Sequence, residues 1–174
     1  MWVPFELLPE HAKLWVFHAP VPLDEELVLE DLQPFTEEWT AHNLSLPASV
    51  SVLDRHFVVL AVDSSQVQAS GCSIDKAVHR MSDLGSRLGL DFMEKRRYFV
   101  IEEPPCQDRN HQDRFPQARP SVKCYSHQAF ALALEQRELT TDSLVANTLV
   151  GTKAELKRFW LPLGLSWHRR LFGL

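Results

Sequence analysis

One side chain stands where backbone chemistry can sharpen it: Cys72, within Asp63-Ser64-Ser65-Gln66-Val67-Gln68-Ala69-Ser70-Gly71-Cys72-Ser73-Ile74-Asp75. A thiol on the first turn of a helix faces unpaired N–H groups carrying partial positive charge, which favours the thiolate, the nucleophilic form. Such a nucleophile needs a base within hydrogen-bond reach. His79 lies seven residues further on, ~10 Å along a helix at 1.5 Å per residue, which is too far. His42, at the C-terminal end of the first helix behind Trp39, is the candidate base. The same loop offers a second chemistry. Asp63, Ser64, Gln68, Ser70, Gly71, Ser73 and Asp75 follow the most apolar strand and open a helix, a place where α/β architectures gather anions or nucleotides. A structural account competes with both: Ser70 or Ser73 caps the helix, Asp75 adds first-turn charge, Gly71 permits a turn and Cys72 is a small buried hydrophobe.

Other motifs narrow the chemistry. Asp75 and His79, at i and i+4, could present two metal ligands, with Asp63 or His42 completing a site; the same spacing describes an exposed Asp–His pair, and no metal or cofactor is expected. Gly71-Cys72-Ser73-Ile74-Asp75 begins like a hydrolase nucleophile elbow and lacks the final glycine. Val150-Gly151-Thr152-Lys153 has no upstream glycine at the phosphate-loop interval, and no GxGxxG occurs. Three cysteines, Cys72, Cys106 and Cys124, form no CxxC pair, so neither a disulfide framework nor a zinc finger is indicated and a reducing cytoplasm is expected.

Residues 1–63 hold 11 acids against Lys13 and Arg55, a net of −9, whereas 64–174 hold 16 bases and 12 acids, a net of +4. The overall charge of −5 argues against nucleic-acid binding, which rests on phosphate neutralisation. The apolar run Phe57–Val62 is far short of the ~20 residues of a spanning helix, so no membrane span is expected. The opening residues lack a basic segment and a small-residue cleavage site, and predict no secretory leader.

The elements that must position these residues follow from periodicity. Lys13–His18 reads as a strand, closed by Pro20 and Pro22. Leu27, Leu32, Phe35 and Trp39 predict a helix over about 24–42, kinked at Pro34. Residues 48–52 and 56–62 predict a hairpin, its second strand central in the sheet. Ile74, Ala77, Met81, Leu84 and Leu88 predict a helix over 73–88 stopped by Gly89, and 98–101 a fourth strand. Residues 102–123, rich in proline, amide and charge, read as a flexible insertion loop. Ser126 then caps a helix to about Arg137. Leu144-Val145 and Leu149-Val150 suggest short strands, and 152–159 a last helix. The expected fold is α+β: a ferredoxin-like βαββαβ core over 1–101 and an α/β appendage over 124–174 packed on it.

Trp39-Thr40-Ala41-His42, Ala61-Val62-Asp63, Gln68 to Asp75, Leu144-Val145 and Thr152 to Leu156 carry a resemblance to a family of small bacterial proteins of the Bacteroidetes group, often labelled ABC transporter ATPase. It covers most of 1–101 and 124–167. That label implies a nucleotide-binding engine, and the chain departs from it in having neither a Walker A segment nor an LSGGQ-like signature. Ser126 to Pro162, ending in a Trp-x-Pro, is also similar to small GYF-like modules, which implies protein binding. The tail mixes Trp160 and Trp167 with Arg169 and Arg170, a composition suited to a partner surface, or to tryptophans packed over the core. The leading expectation is a cytoplasmic, non-catalytic binding or adaptor protein with Trp160 and Trp167 facing a protein partner. The alternatives are a thiol-dependent enzyme using Cys72 and His42, and a small anion or nucleotide site at the 63–75 loop.

Overall fold

The computed structural model describes residues 1–42, 44–65, 69–102 and 121–174. They form two compact units: Met1–Lys95 with Thr148–Phe159, and Arg96–Asn147 with Trp160–Leu174. The fold is α+β. No helix among the described residues is long and apolar enough to cross a membrane.

The first unit contains β1 (Lys13–His18), α1 (Glu25–Glu38), β2 (Thr40–Ala41), β3 (Leu44–Ser45), β4 (Ala48–Leu53), β5 (Phe57–Val62) and α2 (Gly71–Leu88). Its main sheet is antiparallel with order β1-β5-β4. Central β5 is buried along its whole length because both faces of the sheet are covered. Phe17, Val50, Val52, Val58, Leu60 and Val62 pack in one core with Val28 and Leu32 of α1 and Ala77, Met81 and Leu84 of α2. Leu14, Val59 and Ala61 pack on the other face with Leu8 and Ala12. Each such aliphatic side chain, fully removed from water, contributes about 1.5–3 kcal/mol.

Asp24 caps α1, accepting from the Leu27 N–H, and the helix runs through Pro34 to Glu38 as one element. It stops four residues before the expected end. Trp39 takes an extended backbone and buries its indole against Trp15 and Phe35, with Nε1 donating to the Ser73 carbonyl at 2.9 Å. Continuing the helix would forfeit that burial, so the chain leaves it and forms the short β2–β3 ladder.

The segment 148–159 returns to the first unit as a second-face cover. Leu14 donates to the Gly151 carbonyl, Lys153 donates from its backbone to Ala12, and its ammonium donates to the carbonyls of Glu6 and Leu8. Phe159 meets Phe57 edge-on at 4.8 Å between centroids. The expected α-helix here is a 3-10 helix, Lys153–Arg158, opened by a Thr152–Glu155 capping box.

The second unit contains β6 (Arg97–Glu102), β7 (Ser121–Ser126), α3 (His127–Glu135), β8 (Leu144–Ala146), β9 (Trp160–Pro162) and α4 (His168–Phe172), in an antiparallel sheet of order β7-β6-β8-β9. The ferredoxin-like expectation fails at this point. Its first three strands adopt the order 1-3-2, but the fourth, β6, pairs with β7 and β8 in a separate sheet. The polar loop also ends earlier than expected. Residues 103–120 lie outside the described residues, whereas Ser121–Ser126 is a strand in which Tyr125 faces the core, an alternation hidden by the polar residues around it. Leu149 and Val150 form no strand. Ser126 caps α3 as expected, accepting from the Ala129 N–H.

Candidate functional site

At the end of β5, Asp63 turns its carboxylate onto Ser65, whose N–H and hydroxyl donate to it at 2.9 and 2.5 Å. His11 joins from the N-terminal segment, its Nε2 2.7 Å from the Ser65 hydroxyl and 3.7 Å from Asp63. The Ser65 hydrogen bonds, followed by the His11 imidazole, hold the Asp63 carboxyl below its usual range. Ser64 is half-buried, and Gln68 lies outside the described residues.

At the start of α2, Ser70 is the cap: its Oγ accepts from the Ser73 N–H at 3.2 Å, and its carbonyl accepts from the buried Ser73 hydroxyl at 2.7 Å. Gly71 has no steric obligation, since an added Cβ would meet nothing within 4 Å. Asp75 is exposed, and its backbone carbonyl, not its carboxylate, bonds the His79 ring. No group of three or more potential ligands able to hold a metal occurs among the described residues.

Cys72 is exposed on the first turn of α2, and His42 is exposed with a left-handed backbone, φ 52°. The Trp39–Ser73 bond ties the chain preceding His42 to that first turn. No hydrogen bond joins the two side chains.

The second unit is built differently. Tyr98, Val100 and Glu102 of β6 share a face with Tyr125, Lys123 and Ser121 of β7, as their register requires. Over most of that face aromatic packing closes the core: Phe130 lies 5.0 Å from Tyr98 and 4.8 Å from Phe172, and His168 stacks on Trp167 at 3.8 Å. Among the described residues the aromatic cover ends beyond Val100 and Tyr125. There a cleft of about 490 Å³ opens, walled by Val100, Ile101, Glu102, Lys123 and Tyr125 on the sheet side and by the turn 138–143 opposite.

The turn is held by backbone hydrogen bonds, within itself and from Leu163 and Gly164. Thr140 accepts from Ser143 through its carbonyl, and Thr141 and Ser143 accept from Gly164 and Leu163 at 2.8 Å. Gly164 packs closely there, since an added Cβ would stand 3.2 Å from the Thr141 Cβ and press on it. Inside the cleft, the Lys123 ammonium lies 4.8 Å from the Tyr125 ring centre and 3.8 Å from Glu102 Oε1. Tyr125 first, then Glu102 and Glu138, hold that ammonium above the usual lysine range.

The two tail tryptophans are half-buried. Trp160 lies on edge strand β9 opposite Ala146. Trp167 packs against the aromatic core, with its Nε1 buried and, among the described residues, without a hydrogen-bond partner. The buried His168 ring donates from Nδ1 to Ser166, whose hydroxyl in turn donates to the Leu163 carbonyl. Burial pushes the His168 pKa down to about 4.

His11 and the cleft residues Glu102, Lys123, Tyr125, Glu138 and Asp142 are not among the residues singled out by sequence. The available signal was the inward-facing row Tyr98, Val100, Glu102, which turns from apolar to charged within one strand. No protein family, no curated protein and no solved structure matches the chain.

Proposed function

We propose that the chain is a cytoplasmic, non-catalytic binding protein whose ligand enters the cleft of the second unit. The cleft itself carries the reading: a concave site of ligand size, with a rigid turn on one wall and convergent polar groups on the other. The free thiols of Cys72 and Cys124 support a reducing compartment. A fragment screen read by backbone amide shifts tests it. Hits should converge on residues 100–102, 123–125 and 138–143; hits gathered elsewhere, or none, end this reading.

A second reading, a thiol enzyme, draws on the exposure of Cys72 at the start of an 18-residue helix. Iodoacetamide mapping should modify Cys72 well before Cys124, whose thiol pKa burial raises. For the enzyme reading, the Cys72 rate must also fall when His42 is replaced by alanine; an unchanged rate removes His42 as its base.

A further inference from the structure

The cleft already holds a cation. Lys123 sits over the face of Tyr125 and beside Glu102, though its side chain is 48% exposed and can swing out at little cost. Three carboxylates, Glu102, Glu138 and Asp142, line the cleft against this one ammonium. Among the described residues, the carboxylates of Glu138 and Asp142 accept no hydrogen bond. A π-face, a surplus of negative charge and an ammonium held from one side form a seat for positive charge that the chain fills with its own lysine.

We propose that this cleft recognises a basic peptide segment, an arginine or lysine side chain taking the place of Lys123 over Tyr125. The proposal rests on the binding reading above and adds the class of ligand. Lys123 then acts as an internal competitor: it keeps the seat charged and folded over when empty, and moves aside when a guanidinium or ammonium arrives. Guanidinium is the better fit, because its plane stacks on the tyrosine while its N–H groups reach two carboxylates.

The test uses the full chain and the acetylated, amidated peptide Gly-Arg-Arg-Gly, with Gly-Glu-Glu-Gly and inorganic phosphate as comparisons, each followed by amide shifts. The arginine peptide should shift residues 100–102, 123–125 and 138–143, and the effect should weaken as salt is raised. Lys123→Met should tighten its binding about 5-fold by removing the competitor. The double variant Glu102→Gln, Glu138→Gln should weaken it about 10-fold or more, through loss of charge at the seat. All three substitutions are at exposed or cleft-lining positions, and unchanged melting curves confirm the fold. If Gly-Glu-Glu-Gly or phosphate shifts these amides and Lys123→Met abolishes the effect, the cleft takes anions: the inference fails and the binding reading stands. If none of the three probes shifts them, the inference also fails, and the fragment screen alone decides the binding reading.

Discussion

Polar side chains are dense both in the 63–75 segment of the first unit and around the β6–β7 cleft of the second, but they are engaged differently. In the first unit Asp63 is occupied by Ser65 and His11, Ser70 by the Ser73 N–H, and Ser73 by the Ser70 carbonyl. These groups satisfy the backbone where a strand ends and a helix begins. In the second unit Glu138 and Asp142 line open space, Glu102 and Lys123 share an exposed ion pair with Ser121 donating to Glu102, and the turn beside them has carbonyls that accept from the Leu163 and Gly164 N–H groups. A polar run in sequence therefore says little about ligands until it is known which of its groups the fold itself consumes.

The contrast can be broken or sharpened experimentally. Trp39→Ala should have the largest effect, a loss of about 3–5 kcal/mol in urea unfolding, because it empties a buried aromatic site and leaves the Ser73 carbonyl without its indole donor. The second unit should answer to acid. His168 has a folded pKa of about 4 against an ordinary value of 6.5, so the proton binds the unfolded chain more readily. Its burial is tolerated in full above pH 6.5, and stability falls as pH drops from 6.5 to 4, by up to about 3 kcal/mol. His168→Phe should flatten that part of the pH dependence, and an unflattened curve would assign the acid sensitivity to other groups. Gly164→Ala should cost about 1–2 kcal/mol by pressing on Thr141, and should shift amides of residues 138–143 while leaving those of 63–75 in place. Ser70→Ala is the mildest, about 1 kcal/mol in melting experiments, the ordinary worth of a helix cap.

Much of the first unit was legible in sequence for local reasons. The 57–62 run is apolar on both faces because both are covered, and Ser70 and Ser126 stand where their helices need caps. Errors arose where distant partners decide. Nothing near Trp39 announces that its indole will bond Ser73, which ends α1 early, and nothing near Arg97–Glu102 says which of two sheets that strand will join. The helical tendency of 152–159 is local, but its 3-10 form and its place in the first unit depend on residues about 140 positions earlier. The polar loop at 63–75 stands out in sequence because its polarity is contiguous, although its groups bond mainly to one another and to the local backbone. The cleft was missed because its residues come from three separate stretches, none unusual alone.

The return of 148–159 to the first unit has a temporal consequence. The chain passes between units after Lys95, after Asn147 and after Phe159, so neither unit is a single stretch of sequence. During synthesis the first unit acquires its strands and both long helices early, yet the second face of its sheet, with Leu14, Val59 and Ala61, waits for Lys153 to reach the Glu6 and Leu8 carbonyls across 145 or more residues. Until then that face has its N-terminal cover, Leu8 and Ala12, but lacks Leu156, so part of its apolar surface stays open on a nascent chain to chaperones and to premature pairing. A ribosome pause or a truncation anywhere between 96 and 147 would leave the same half-covered sheet, so the first unit is completed only by residues 148–159 and the second by 160–174.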